Sequence, residues 1–166
     1  MIGSPLGDPD RAANRSGLPI QSESVTIIDD SRFHRRQIFG EMAKSSKLVA
    51  VKGSKVLLVR RRRDRLWMFP GGRKRSRESE KDCLRREIKE ELPKLRLGRV
   101  RLWKEVKAKN RRSGRKMSDA IFLARKASGQ LEIGDKKEID KAIWRKPRGI
   151  RLTPTSRYVR NKLFPN

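Results

Sequence analysis

Apolar and polar positions along the chain follow two rhythms. In LVAVKGSKVLLV, Leu48 to Val59, two apolar runs flank Lys52-Gly53-Ser54, residues suited to a tight reversal, so the stretch predicts two short strands joined as a hairpin. Val56 to Val59 contains no polar position, which predicts a strand covered on both faces and therefore helices layered on a sheet. Farther on the period changes. Leu84, Ile88 and Leu92 recur every fourth residue, the buried stripe of a helix, with Cys83 beside it as a small core residue. Ser79 is a good N-cap for that helix, Glu80 and Asp82 favour its positive end, and Pro93 stops it. RLWKEVKAK and MSDAIFLARK read as strands around a basic hairpin tip, Lys107 to Lys116. TPTSRYVRNKLF reads as a capped C-terminal helix that packs through Tyr158, Val159 and Leu163. The alternation predicts an α/β domain.

Composition bounds this picture. A length of 166 residues fits one domain, and the combination of 34% apolar with 39% charged residues leaves a modest core under a heavily solvated surface. Residues 1–31 mix Gly, Pro, Ser and Asn with few large apolar side chains, so they are expected to form a disordered tail, with SVTIID available as one short strand; the domain is placed at 32–166. The single cysteine excludes an intramolecular disulfide framework and a cysteine-rich zinc site, and it fits a reducing compartment. His34 stands alone and supports neither a metal cluster nor a triad. No secretory leader pattern and no run approaching the roughly 18 apolar residues of a membrane span is present, so a cytoplasmic protein without membrane contact is expected.

Charge changes the picture most. The formal net charge is +26, and residues 1–31 are themselves acidic, so the domain is more basic than the whole chain. A field of that sign draws in nucleic acid, polyphosphate or phosphorylated small molecules. On charge alone, loose association with nucleic acid is as good a reading as a specific site.

Against this background, acid gathers on one predicted helix. Glu87, Glu90 and Glu91 stand at i, i+3 and i+4 and converge on one face, away from the Leu84 and Ile88 stripe or at its margin. Two readings follow: a solvated helix whose repulsion is offset by Arg85, Arg86 and Lys89, or a site for a hard divalent cation that bridges to phosphate.

Gly72, Glu78, Arg86, Glu87, Ile88, Glu90 and Glu91 stand at the spacing of the box G-x5-E-x7-R-E-U-x-E-E-x-G-U, and LWMFPGG precedes them. The chain thus resembles the Nudix hydrolase family, which implies a Nudix-like α/β/α sandwich with a mixed central sheet. The box departs at its end, with Pro93 for glycine and Lys94 for an apolar residue, so the turn after the helix must be built differently.

The resemblance implies that Glu87, Glu90 and Glu91, with the main-chain carbonyl of Gly71, ligate Mg2+ or Mn2+. It further implies that Glu78 assists or binds a second ion, that Arg86 orients the glutamates, and that water attacks phosphorus in a diphosphate linkage. Glu87 is one candidate for the general base, and Glu105, Glu132 and Glu138 are others. Arg60 to Arg63, Arg65, Arg73, Lys74, Arg75 and Arg77 flank the box, and arginine grips phosphate bidentately; Arg61, Arg63, Arg73, Lys74 and Arg75 are the expected substrate contacts. Trp67, Phe69 and Trp144 read as core.

ADP-ribose hydrolases of the family commonly carry a proline, and many dinucleoside polyphosphate hydrolases a tyrosine, about sixteen residues beyond the box. Lys109 and basic neighbours stand there in this chain. A more anionic substrate is expected: a diphosphoinositol polyphosphate, a nucleotide polyphosphate or inorganic polyphosphate, or a 5′-triphosphorylated RNA end. The alternative is a Nudix-fold module that binds nucleic acid with little catalysis.

Overall fold

The hairpin expected from LVAVKGSKVLLV lies at the heart of the sheet. In the computed structural model, which describes residues 25–28, 44–110 and 116–165, the strands are β1 (Val25–Ile28), β2 (Ser45–Lys52), β3 (Lys55–Arg61), β4 (Trp67–Met68), β5 (Leu95–Leu97), β6 (Val100–Asn110), β7 (Lys116–Ala124), β8 (Ala127–Gly129) and β9 (Ile139–Arg145). Helix α1 (Glu80–Glu91) follows β4, and α2 (Pro154–Leu163) follows β9. Gly53, at φ +58, closes the turn between β2 and β3, a left-handed conformation that glycine adopts without a steric penalty.

One sheet runs β1-β6-β7-β2-β3-β4, with β9 on β3; β2 and β7 are parallel and the other pairs antiparallel, so the sheet is mixed. β5 and β8 form a separate pair. The short strand available in SVTIID is present as β1, paired with β6, while the other residues of 1–31, His34, and 111–115 of the basic hairpin tip lie outside the described residues. No helix among the described residues is long and apolar enough to cross a membrane.

Side-chain alternation on the central strands explains their unbroken apolar runs. Leu48, Ala50, Leu57 and Val59 pack with Leu84, Ile88 and Leu92 of α1, while Val49, Val56 and Leu58 pack with Phe69, Ile121 and Val159 of α2. Both faces are therefore covered, and each large aliphatic side chain so buried contributes about 1.5–3 kcal/mol. Tyr158 and Leu163 pack against the second cluster and Trp144 against the first.

The predicted cap of α1 forms with one difference. Ser79 Oγ accepts from the Asp82 amide at 3.1 Å, but the Asp82 carboxylate accepts from the Ser79 hydroxyl at 2.6 Å. It does so instead of reaching the Ser79 amide, because aspartate is one methylene shorter than the glutamate of a capping box. Thr153, at the start of α2, caps no amide with its side chain; its hydroxyl donates to Ser156 Oγ at 3.0 Å.

Pro93 leaves the other end of α1 without a local glycine cap. The Gly134 amide, from the loop before β9, donates to the Glu91 carbonyl at 2.9 Å, while the Leu95 amide closes on Leu92 at 3.0 Å. A Cβ on Gly134 would overlap the Glu90 carbonyl oxygen and press on the Pro93 ring. Gly134→Ala is therefore expected to lower stability by about 1–3 kcal/mol, the range for overpacking. Urea denaturation midpoints check this, and an unchanged midpoint would count against Gly134 as the helix stop.

Candidate active site

The segment Phe69 to Arg73 runs along β2 as a clamp. The Leu48 amide donates to Pro70 at 2.9 Å and the Ser46 amide to Gly72 at 3.0 Å, and the buried Ser46 hydroxyl donates to the Glu80 carbonyl at 2.7 Å. These bonds fix the two glycines against the first turn of α1. Gly71 has φ +120, and a Cβ there would overlap the Ser46 carbonyl; a Cβ on Gly72 would overlap the Glu87 carboxylate. Gly71 is thus required by its backbone conformation and close approach, whereas a side chain at Gly72 would displace the Glu87 carboxylate.

The three box glutamates occupy a gradient of burial. Glu91 is 4% exposed and accepts from the Gly71 amide at 2.8 Å. Burial pushes its carboxyl up to about 7, against the opposing effects of Lys47 and the Gly71 bond, with Glu87 and Glu138 adding repulsion. Lys47, on β2, donates to the Gly71 carbonyl, the oxygen that the family resemblance assigns to the metal. Glu87 is half-buried and Glu90 faces solvent.

Arg86 organises the outer carboxylates. It donates to Glu78 at 2.8 and 3.0 Å, to Glu87 at 2.7 Å, to Glu90 at 3.1 Å and to the Arg73 carbonyl at 2.9 Å. Its hydrogen bond, followed by that of the Arg75 amide, holds the Glu78 carboxyl well below its ordinary value, at about 2. The contribution of Glu78 to stability is therefore present above the ordinary glutamate value of 4.5 and is lost as pH falls through about 2.

Among the described residues no group of three or more acidic, histidine or cysteine side chains is closed around one point. The donor set nonetheless fits a hard divalent cation. It consists of carboxylates and a carbonyl, and burial keeps the Glu91 carboxyl raised even with Lys47 and the Gly71 amide favouring its ionised form, so a further positive charge is accommodated there. Cys83 is buried, and burial raises its thiol, in keeping with a core role.

The expected substrate contacts divide. Arg75 reaches Glu90 at 3.3 Å, while Arg73 is exposed and meets the site through its main-chain carbonyl, which accepts from Arg86. Lys74 is bound to Glu80 at 2.8 Å with 12% of its side chain exposed, and serves the N-terminus of α1. Arg61 pairs with Asp64 in the turn after β3, whereas Arg63 projects into solvent. Arg60, at 2.8 Å, and Arg65 are both committed to Asp140. Among the alternative bases, Glu105 accepts from Ser118, Glu132 pairs with Lys94, and Glu138 stands near enough to Glu91 to repel it.

Sequence reasoning missed Lys47, Gly134 and the loop that follows it. An open depression of about 470 Å³ beside Glu90 is lined by Gly134, Asp135, Lys136 and Lys137. Asp135 accepts from the Lys137 and Glu138 amides at 3.0 and 3.2 Å, and Arg62 ties the loop to the β3–β4 turn through Glu138 and Lys136 carbonyls at 2.8 and 2.9 Å. The adjacent KKE was the available signal for these lysines; nothing local marked Lys47.

Raised burial of Glu91 has a consequence for stability without divalent cations. Its folded value exceeds the ordinary 4.5, so its contribution is full below about pH 4.5 and is lost as pH rises through about 7. Glu91→Gln keeps an acceptor for Gly71 and removes that loss. Urea denaturation in chelator is expected to show the variant gaining on the order of 2–3 kcal/mol over the native chain between pH 5 and pH 8. A pH-independent difference would contradict the burial of an ionisable Glu91.

A profile described as the NUDIX domain matches residues 45–165. No curated protein matches the sequence. Among solved structures, the MutT NUDIX hydrolase of Burkholderia pseudomallei is similar at TM-score 0.65 and 23% identity, covering 75% of this chain and 99% of that one. The NUDIX domain of Shewanella oneidensis NrtR, complexed with ADP ribose, aligns at TM-score 0.60 and 17% identity over 73% of this chain and 85% of that one. The pyrophosphohydrolase BsRppH of Bacillus subtilis aligns at TM-score 0.52 and 22% identity over 72% and 70%. These likenesses show a shared fold.

Proposed function

The chain belongs to the Nudix hydrolase family, and from that premise we propose that it is a Mg2+- or Mn2+-dependent pyrophosphohydrolase acting on a strongly anionic phosphoanhydride. The observation that carries this reading is the buried Glu91 carboxylate held at Gly71 beside Glu87 and Glu90, in a chain of net charge +26.

Glu87, Glu90 and Glu91 would hold the ion, with the Gly71 carbonyl, and Glu78 stands at the margin. Bound there, the ion supplies charge neutralisation on the phosphates and a water of lowered pKa. Arg86 keeps Glu78, Glu87 and Glu90 together although like charges repel. Arg73 and Arg75 on one side, with Lys136 and Lys137 on the other, receive the phosphate chain over Glu90. The carboxylate of Glu87, close against Gly72, or that of Glu138, near Glu91, would take the proton of the attacking water.

The test is phosphate release measured with Mg2+ and with Mn2+ across nucleoside polyphosphates, triphosphorylated RNA and diphosphoinositol polyphosphates, the products identified by mass. Glu90→Gln is expected to lower kcat/KM by at least the ~10–100-fold that loss of an outer-shell partner costs in metal sites, with the circular dichroism spectrum unchanged. Full activity in both Glu90→Gln and Glu91→Gln would overturn the metal assignment. Replacing Lys136 and Lys137 with alanine is expected to raise KM about tenfold while largely sparing kcat, the pattern for lost ground-state binding. A fall in kcat alone would remove these lysines from substrate binding.

A further inference from the structure

Helix α1 has a second functional-looking flank. Helical spacing puts Lys81 and Arg85, four residues apart, on the side of the Leu84 and Ile88 stripe away from Glu87 and Glu90. There they wall a cleft of about 460 Å³. Its opposite wall is Arg99 in the β5–β6 connection and Arg101 on β6, and its floor is apolar, made by Leu84, Leu97 and Val100. The connection is anchored, since the Gly98 amide donates to the Lys126 carbonyl at 2.9 Å. No carboxylate lines the cleft.

Three of these four cations make no ion pair among the described residues. They are Lys81, Arg99 and Arg101, whereas Arg85 makes only a surface contact with Asp82 at 3.4 Å. Some arginines elsewhere are neutralised at long range, as Asp140 does for Arg60 and Arg65, so what marks this cleft is that four cations and no carboxylate line one cavity. Four like charges around an apolar floor repel one another, and an arriving phosphate chain relieves that repulsion. The floor decides the class of anion. A polyphosphate or an inositol polyphosphate has no apolar face to place on Leu97 and Val100, whereas a nucleotide offers phosphate to the walls and a base or ribose face to the floor.

We propose that this cleft is an exosite for single-stranded nucleic acid, with backbone phosphates on Lys81, Arg85, Arg99 and Arg101 and base faces against Leu97 and Val100. Arg75, before the N-terminus of α1, pairs with Glu90 on the other flank, and in this proposal a strand held in the cleft would pass round that end of the helix to present its 5′ end to the glutamates. The proposal deepens the pyrophosphohydrolase reading and rests on it only for what happens to that end. Binding to the cleft needs neither metal nor turnover.

The experiment uses the full chain in chelator and follows fluorescein-labelled oligouridine, with oligodeoxythymidine as a parallel arm, by fluorescence anisotropy over a range of salt. R85E/R99E/R101E is compared with R148E/R157E/K162E, which makes the same charge change on exposed residues on or beside α2, on the opposite face of the sheet from α1. The cleft variant is expected to lose at least tenfold more affinity than the control, and its salt slope to shrink by about 2, as for three lost single-strand phosphate contacts. Equal losses in the two variants would assign binding to the overall field and overturn the cleft. Equal loss of oligouridine and of inositol hexakisphosphate in the cleft variant would overturn the nucleotide assignment. The milder R99A/R101A is expected to show the same ordering and serves if the charge reversals prevent folding. Hydrolysis of small nucleotides is expected to persist in the cleft variant, and oligouridine binding in Glu90→Gln, so failure of one reading is separable from failure of the other.

Discussion

The hydrogen bond from the Gly71 amide to the Glu91 carboxylate constrains everything around it. To make it, the chain must bring two glycines against β2, close enough that side chains on them would overlap the Ser46 carbonyl and the Glu87 carboxylate. It must also press α1 onto the sheet through Leu84, Ile88 and Leu92, which carries Glu91 under the helix into the core. Desolvation of a carboxylate is costly unless a positive charge offsets it. Lys47, on β2, supplies that charge and donates to the Gly71 carbonyl.

Arg86 solves the complementary problem on the outside of the helix. Glu78, Glu87 and Glu90 would repel one another, and one planar guanidinium with its donors in a fixed fork reaches all three together with the Arg73 carbonyl. A lysine at this position would offer a point charge with no such fork. Arg86 thus offsets the repulsion within a cluster that remains an all-oxygen donor set. This is why acid persists on one helix of a strongly basic chain.

Local features were legible in the sequence because they depend on neighbouring residues. The turn at Gly53, the cap at Ser79, the stripe of Leu84, Ile88 and Leu92, and the stop at Pro93 each follow from side-chain size or backbone freedom within a few positions. The box glutamates were legible because their spacing is a helical repeat. What could not be read was pairing across the fold. Asp140 lies 80 residues from Arg60 and 75 from Arg65, and only the register of β3 with β9 brings them together. The runs of arginine therefore looked like free phosphate contacts when several are neutralised. Lys47 was hidden for a similar reason: in a strand, a lysine beside a buried row is placed by sheet packing, and its partner Gly71 arrives 24 residues later.

Pro93 shows how a lost local signal becomes a long-range one. A box glycine would end α1 with its own backbone, independently of the rest of the chain. Here the Glu91 carbonyl is satisfied by Gly134 instead, and Gly134 is followed by the loop bearing Lys136 and Lys137 beside Glu90. Asp135 and Arg62 hold that loop in shape. The stop of α1 and the placement of two lysines beside Glu90 are then one packing event. A movement of the loop that draws Gly134 away breaks the hydrogen bond to the carbonyl of Glu91, the residue whose carboxylate is buried. In this chain the departure from the box therefore couples the cationic rim of the site to the glutamates it serves, a coupling that a glycine at position 93 would leave to chance.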